Sequence, residues 1–326
     1  MTGERMKILK DDARQSLIGR EESTALKAIL ILIVILGHNR YLMGVNDMLP
    51  FRFLYSFHVY AFFLLPFLYN HHHQPFVVFV RKNIKRFGVP YMVVFAALFA
   101  MSLPEVLEYD IWTIFKAFLR GSFREIFGFG GAFWFIPSMF LLLCVKQLYY
   151  ESGLVVRILL IIMSGLCMSA HAFSLPVELL QVGGVRGIAM LPLGIALRYV
   201  VQKRPPYMSK WPNLLFFAVL VLFMATSQTE NPYTYLTIVR MICPVVMMLF
   251  FMAQTSAVKK VPLLMEIGNK TFPIYIIHIF VYQLFYRVID RIFDPGLALS
   301  IVLLFAVTGV SFLISKSRVI KYVFPR

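Results

Sequence analysis

Lys27 and His38 are two ionisable residues that could bind a ligand or transfer a proton. They lie eleven residues apart within an apolar run. At about 3.6 residues per turn this is close to three full turns, so both side chains project from one helix face, about 16 Å apart along the axis. Ionisable groups inside a membrane span are costly and usually face a bundle interior or a wet cavity. The pair therefore predicts a site with its mouth at Lys27 and its deep end at His38.

Two further histidines favour this interpretation over simpler ones. Taken alone, Lys27 could reach the cytoplasmic headgroups along its own stem, and His38 could hydrogen-bond a neighbouring helix. His58 follows the start of the second apolar run and is expected at a depth similar to that of His38. His278 lies near the middle of the ninth run, with Tyr275 one helical turn earlier on the same side. Each of these histidines also has a helix–helix hydrogen bond as its alternative role.

Basic residues cluster before the third apolar run, in "RKNIKRFGVPY". Lys82, Lys85 and Arg86 in this stretch are ordinarily a sign of a cytoplasmic loop. The same charges suit the phosphates of a nucleotide-like cofactor that arrives from the cytoplasm. Both interpretations remain open at this point.

Other polar residues at run boundaries are weaker candidates. Trp134 is expected at the outer interface, where tryptophan is common as an anchor, and Arg186 lies beside glycines at the outer end of the sixth run, where it could pair with Glu178. The histidine run 71–73 has no carboxylate or cysteine ligand at a suitable spacing, so it is interpreted as a loop. The three cysteines have no zinc-ligand spacing either. No metal site is predicted.

Composition indicates which elements must hold these residues. The 326 residues are 60% hydrophobic and only 15% charged, far more apolar than a soluble domain. Apolar runs long enough to cross a bilayer lie near residues 25–43, 53–70, 87–104, 133–150, 154–172, 182–200, 212–229, 233–253, 268–289 and 296–315. Residues 111–127 repeat aromatic and basic residues at helical spacing and are expected on the membrane surface. We therefore predict an all-α polytopic membrane protein with about ten transmembrane helices.

The charges predict the orientation. Most of the 32 lysines and arginines fall in the two terminal segments and the alternate loops that would face the cytoplasm with them. This places both termini in the cytoplasm and accounts for the net charge of +16 without nucleic acid as a partner. The predicted organisation is a cytoplasmic tail over residues 1–24, one membrane domain over 25–315 and a second cytoplasmic tail over 316–326.

Four stretches make the chain resemble the acyltransferase-3 family of integral-membrane O-acyltransferases, including its fucose O-acetylase-like branch. They are "LKAILILIVILGH", "SFHVYAFFLLPFLYN", "RKNIKRFGVPY" together with "FWFIP", and "IGNKTFPIYIIHIF". Their order and spacing cover nearly the whole membrane domain. Two departures stand out, because the family usually has arginine where Lys27 stands and Arg-x-x-Arg where this chain has Lys82 and Lys85 followed by Arg86.

The resemblance implies transfer of an acetyl group from cytoplasmic acetyl-CoA to a hydroxyl of a cell-surface polysaccharide sugar or its lipid-linked precursor, in the bacterial inner membrane. It implies a catalytic role for His38 and acetyl-CoA binding by Lys27, Lys82, Lys85 and Arg86. In the resulting hypothesis Lys27 holds a phosphate while the pantetheine arm follows the helix face to His38, the general base.

Several roles remain alternatives at the level of sequence. His58, Trp134 or Tyr275 could stabilise the oxyanion, and His278 and Arg186 are further candidates. A covalent acyl relay or another acyl group, such as succinyl, is also compatible with the sequence. The alternative function is a transporter or flippase of a lipid-linked sugar, in which the intramembrane histidines and arginines form a transport path.

Overall fold

The structure of the protein, a computed structural model, describes residues 16–43, 49–71, 73–101, 107–121, 131–172, 183–206, 210–227, 232–292 and 296–324. All regular elements within these ranges are helical, which confirms the predicted all-α class for the described part of the chain.

The helices are named in chain order. They are α1 (Arg20–His38), α2 (Arg40–Met43), α3 (Leu49–Phe57), α4 (Tyr60–Leu68), α5 (Phe76–Asn83), α6 (Val89–Met101), α7 (Ile111–Arg120), α8 (Phe135–Glu151), α9 (Leu154–Ala172), α10 (Gly183–Ile188), α11 (Leu191–Lys203), α12 (Trp211–Ser227), α13 (Pro232–Val258), α14 (Pro262–Asn269), α15 (Thr271–Ile292), α16 (Leu297–Ser315) and α17 (Arg318–Val323). A π-helical turn, Ile84–Gly88, joins α5 to α6, and a 3₁₀ turn, Gly131–Trp134, precedes α8.

The first of two compact units, here the histidine unit, comprises residues 20–62 and 205–324. Helix α1 packs in it against α13, α14, α15 and α16, while α12 packs against α13. The contact between α14 and α1 depends on Gly268, because a Cβ atom there would lie 2.1 Å from the carbonyl oxygen of Thr24. Helix α1 is thus surrounded, and Leu26, Leu30 and Ile31 are fully buried.

The second unit, here the loop unit, comprises residues 63–204 with the described residues that precede Arg20. Helix α8 lies at its centre and packs against α9, α10 and the π-helical turn. Gly187 permits the close packing of α10 on α8, since a Cβ atom there would lie 2.1 Å from the carbonyl oxygen of Ser138.

Three helical segments among the described residues are long and apolar enough to cross a membrane. They are Val185–Lys203, Thr271–Asp290 and Leu297–Ser315, and they correspond to the sixth, ninth and tenth predicted runs. Shorter apolar helices cover Phe53–Leu68, Leu154–Ser169, Trp211–Ala225 and Ile242–Val258. Helices α9 and α16 expose large apolar side chains, such as Val155 (71% exposed) and Phe305 (71%), as lipid-facing helices do. The total of about ten spans and the cytoplasmic position of both termini stay predictions.

Two of the predicted runs are broken at a histidine where the sequence suggested continuous helix. The first run ends its helix at His38, and the chain resumes as α2 after Asn39. In the second run a turn at His58 and Val59 separates α3 from α4. Irregular backbone at membrane depth is tolerated where protein surrounds it or a cavity adjoins it, and these two breaks lie at His38 and His58.

Helix α7 lies within the segment predicted to rest on the membrane surface. Asp110 caps its N-terminus by accepting hydrogen bonds from the backbone N–H groups of Trp112 and Thr113, both at 2.9 Å. The hydrogen bond from the Thr113 hydroxyl and these backbone bonds lower the pKa of the Asp110 carboxyl. Gly121, with φ of 65°, ends the helix in a left-handed conformation that favours glycine. Residues 122–127 of the predicted surface segment lie outside the described residues.

Candidate active site

Three histidines from separate elements converge in the histidine unit. His38 is the last residue of α1, His58 follows the end of α3, and His278 lies within α15. The ring centroid of His38 is 6.0 Å from that of His58 and 5.1 Å from that of His278. His58 and His278 are buried and His38 is partly buried. The structure thus brings together three predicted site residues that are up to 240 positions apart in the sequence.

Each of these histidines uses the same ring nitrogen in the same way. Nδ1 lies within hydrogen-bonding distance of the carbonyl oxygen four residues earlier: Val34 for His38 (2.8 Å), Leu54 for His58 (3.2 Å) and Ile274 for His278 (3.2 Å). A carbonyl oxygen can only accept, so the proton of a neutral ring lies on Nδ1. Nε2 then presents its lone pair, and each neutral imidazole is arranged to accept a proton or a hydrogen bond.

The Nε2 atom of His278 differs from most buried polar atoms in proteins. It is buried, and no hydrogen-bond partner for it is present among the described residues. Nearly all buried polar atoms in proteins have a partner. An acceptor in this position is suited to a ligand hydroxyl or to water, and it belongs to the ring that lies 5.1 Å from that of His38.

The C-terminal end of α1 is held by donors from other elements. The last four carbonyl groups of a helix have no partner within the helix, and in α1 these belong to residues 35–38. The Tyr282 hydroxyl donates to the carbonyl of Ile35 (2.8 Å), and the Asn39 backbone N–H donates to that of Leu36 (3.1 Å). The Tyr55 hydroxyl donates to the carbonyl of Gly37 (3.1 Å), and the Tyr286 hydroxyl donates to that of His38 (2.7 Å). All four carbonyl groups are therefore satisfied, and the backbone that carries His38 is fixed at every position of its last turn.

A polar cluster supports the same helix end from beyond His38. The Arg40 guanidinium and the Tyr41 hydroxyl both bond to the Asp290 carboxylate, and the Arg40 guanidinium lies 4.1 Å from the ring centroid of Tyr286. The backbone N–H of Arg40 donates to the Tyr286 hydroxyl (3.0 Å). Tyr286 is thus a donor to His38 and an acceptor from Arg40.

Gly37 and Asn39 bring neighbouring helices close to this end of α1. A Cβ atom on Gly37 would lie 3.2 Å from Leu54 Cδ2 and 3.4 Å from His58 Cδ2, so a larger residue would require Leu54 to shift by a few tenths of an ångström. Asn39 is fully buried, and its amide donates to the carbonyl of Ser300 near the start of α16 (2.8 Å). The contact at Gly37 allows His58 to lie close to the end of α1 and hence to His38.

Lys27 lies on α1 as predicted, three turns before His38, and is partly buried. Ile31, Val34 and Ile35 lie between them on nearly the same face, and all three are fully buried. A pantetheine arm could follow this face only if the neighbours of these side chains moved apart. Near the start of α1, Glu22 accepts a hydrogen bond from the ammonium of Lys259 (2.5 Å), which raises the pKa of Lys259.

The predicted acetyl-CoA residues Lys82, Lys85 and Arg86 belong to the loop unit. Lys82 is in the last turn of α5, while Lys85 and Arg86 are in the π-helical turn. All three are exposed. Short π-helical segments often occur at functional sites, and this one presents its basic side chains to the surface.

The remaining predicted residues fall into both units. In the loop unit, the Arg186 guanidinium lies 4.9 Å from the ring centroid of Trp134, a cation–π contact between two residues that were proposed separately. In the histidine unit, Tyr275 is 2% exposed, and its ring centroid is 5.8 Å from that of His278. Glu178, the suggested partner of Arg186, lies outside the described residues.

Sequence reasoning missed the residues that cap α1. Tyr282 and Tyr286 follow His278 at intervals of four, which places all three on one face of α15. That spacing was available in the sequence and could have identified both tyrosines. The role of Tyr55 had no comparable signal, since it depends on how α3 packs against α1.

Comparison with known proteins identifies the family. The acyltransferase-3 family model, described as an acyltransferase domain, matches residues 21–316. The match contains all three converging histidines and the residues that cap α1. Searches of curated proteins and of solved structures found no match. Because the matched region is most of the chain, the protein belongs to the acyltransferase-3 family of membrane acyltransferases.

Proposed function

We propose that the protein transfers an acetyl group from cytoplasmic acetyl-CoA to a hydroxyl of a cell-surface polysaccharide sugar or its lipid-linked precursor, in the bacterial inner membrane. The family supplies the acyltransferase activity. The observation that supports the chemistry most directly is the convergence of three imidazoles whose Nδ1 atoms lie against backbone carbonyls. Such an arrangement provides a proton acceptor at a fixed position, as transfer to a hydroxyl requires.

His38 is the proposed general base. The sugar hydroxyl oxygen attacks the thioester carbonyl carbon while Nε2 of His38 accepts the hydroxyl proton. The new C–O bond forms, the C–S bond breaks, and the thiolate takes the proton back from His38. The products are an acetyl ester and free CoA thiol. His38 is favoured over the other two histidines because every carbonyl group of its helix end is held by a donor.

The neighbouring residues have proposed supporting roles. His278 Nε2 can accept a hydrogen bond from the sugar and orient it. Neutral His58 is also an acceptor at Nε2, because its Nδ1–H faces Leu54, so it can donate to an oxyanion only as an imidazolium ion. Tyr275, whose hydroxyl can donate, is therefore the better candidate for that role within the histidine unit.

Acetyl-CoA is the proposed donor because of the exposed basic residues. Lys82, Lys85 and Arg86 are exposed around a single π-helical turn, and several cations side by side suit a ligand with several phosphates. Lysine binds phosphate as a point charge without the guanidinium fork. Arg86 is accordingly the proposed bidentate contact, and Lys27 is proposed to bind a phosphate near the start of α1.

The test compares acyl transfer by His38→Asn and wild-type protein in isolated membranes at matched abundance. Asparagine keeps an N–H group that can donate to Val34 but has no basic nitrogen. Release of free CoA thiol from acetyl-CoA, with polysaccharide or lipid-linked precursor as acceptor, measures the reaction, and proton NMR of the glycan identifies the ester. We expect a loss of roughly 100-fold or more in His38→Asn. Normal acylation by this variant would show that His38 is not the base.

Lys27→Ala tests donor binding, with exposed Lys260→Ala as its matched control. The expected result is weaker activity that extra acetyl-CoA restores in Lys27→Ala and no change in Lys260→Ala. Succinyl-CoA, supplied in parallel, tests the acyl group. If wild-type membranes release thiol from succinyl-CoA but not from acetyl-CoA, the proposed donor is wrong. If no thiol is released with any glycan acceptor, the proposed acceptor class is wrong.

A further inference from the structure

His71 and His73, in the loop that precedes α5, converge on the carboxylate of Glu151 at the end of α8. His71 Nε2 lies 2.8 Å from Glu151 Oε1, and His73 Nδ1 lies 2.7 Å from Glu151 Oε2. The three side chains offer ligand atoms that all lie within 4.8 Å of one another. The carboxylate that the histidine run lacks in the sequence is thus supplied by a residue 78 positions beyond His73.

The surrounding residues hold these ligands in place. His71 and His73 both lie outside the described helices. The ring of His71 packs on that of Tyr150, with centroids 4.9 Å apart. The amide of Gln147, one turn before Glu151 on α8, donates to Glu151 Oε1 (3.2 Å). Metal ligands in proteins are commonly oriented by such outer contacts.

We infer that His71, His73 and Glu151 form a binding site for a divalent transition metal of the zinc class. Two imidazole nitrogens and one carboxylate are a zinc ligand set, whereas calcium and magnesium prefer oxygen ligands alone. Zinc binds such atoms at about 2.0–2.2 Å, so the ligand atoms need only small adjustments around an ion. Lys146 is a cation on the same helix as Glu151. Its ammonium donates to the carbonyl of Pro66 (2.6 Å), and this bond leaves the Glu151 carboxylate to the two histidines and Gln147.

Space for an additional ligand lies beside the cluster. A cavity of about 430 Å³ is lined by His73, Gln74, Pro75, Phe76, Leu148 and Glu151. Two of the three proposed ligands therefore face open space, where water can complete a tetrahedron. The inference does not depend on the proposed acyl transfer. Its structural consequence is that a bound ion fastens the loop before α5 to the end of α8 and so fixes the start of the basic segment.

The test measures metal binding by the full chain in detergent, purified with a tag that contains no histidine. The protein is stripped with a chelator, dialysed against Zn²⁺, and its metal content is measured by mass spectrometry, with the visible absorption of bound Co²⁺ as a second readout. The variants are His73→Ala and Glu151→Gln. The matched control is Glu266→Gln, which changes an exposed carboxylate that pairs with Lys316.

We expect about one Zn²⁺ per chain and a tetrahedral Co²⁺ spectrum for the wild type and the control. Affinity should fall at least about tenfold in His73→Ala and in Glu151→Gln. Wild-type protein that retains no Zn²⁺ after dialysis overturns the inference directly, without any variant. Equal affinity of Glu151→Gln and wild type also overturns it, since the histidine run alone would then account for binding.

Discussion

Helices α1 and α4 each end inside the protein, and the carbonyl groups of their last turns need donors from elsewhere. At the end of α1 three of the four donors are tyrosine hydroxyls, and the fourth is the backbone N–H of Asn39. At the end of α4 two of the donors are cations: Lys146 donates to Pro66 (2.6 Å), and Arg198 donates to Phe67 (2.8 Å) and Tyr69 (3.2 Å). Both cations are buried, at 8% and 5% exposure.

The two kinds of cap differ in what they do to their surroundings. A cation complements the negative end of the helix dipole but must be removed from water to do so, which makes its bonds costly to break. A tyrosine hydroxyl satisfies a carbonyl group without adding a formal charge. Helix α1 ends at three imidazoles, of which His38 is the proposed general base. The nearby Arg40 guanidinium is paired with the Asp290 carboxylate, whereas a cation without such a partner would oppose protonation of His38. The neutral caps therefore suit a catalytic end, and the cationic caps suit a structural one.

Removal of a cationic cap of α4 should destabilise the protein most. Arg198→Ala leaves the carbonyl groups of Phe67 and Tyr69 without this donor and removes a buried side chain, so we expect a loss of about 3 kcal/mol in stability. The midpoint of thermal unfolding in detergent measures this loss. Arg204→Ala, which removes an exposed arginine, is the control. Equal midpoints for Arg198→Ala and wild type would show that the cationic caps of α4 are dispensable.

Tyr286→Phe should change stability less than Arg198→Ala does, but it should lower activity. This variant loses the donor to His38 and the acceptor for Arg40 while keeping the ring. Stability should fall by about 1–2 kcal/mol. The rate should fall by about tenfold, because a displaced base transfers protons poorly. The fall should be in kcat, with KM for acetyl-CoA unchanged.

Exposed Tyr322→Phe is the matched control for Tyr286→Phe. A purely structural role for Tyr286 would lower the unfolding midpoint without lowering kcat in the protein that remains folded. That outcome would show that Tyr286 stabilises the end of α1 without contributing to the proposed chemistry.

Much of the histidine site could be predicted from sequence because it depends on helical periodicity. The three-turn spacing of Lys27 and His38 and the occurrence of His58 and His278 in apolar runs follow from local pattern. The break at His58 did not follow, since no glycine or proline marks it. Tertiary packing overrides local preference there, as α1 approaches α3 closely at Gly37.

The proposed metal site of His71, His73 and Glu151 could not be predicted from the sequence. His71 and His73 were visible as a run, but their partner Glu151 is brought to them only by the packing of the loop on α8. A single sequence contains no local signal for a contact between residues about 80 positions apart. The caps of α4 have the same origin, because Arg198 is 131 positions from Phe67.

The smallest effects should distinguish two tyrosine caps of α1 from each other. Tyr282 and Tyr55 each donate one hydrogen bond to the same helix turn, but Tyr282 is 2% exposed and Tyr55 is 37% exposed. We expect Tyr282→Phe to lower stability by about 1 kcal/mol, because its carbonyl partner is left buried and unsatisfied. Tyr55→Phe should cost about half as much or less, because solvent partly replaces a hydrogen bond made by an exposed side chain. The difference in unfolding midpoint between the two variants measures this. An equal cost would mean that the carbonyl of Gly37 is shielded from water as fully as that of Ile35. The whole last turn of α1 would then be inaccessible to water.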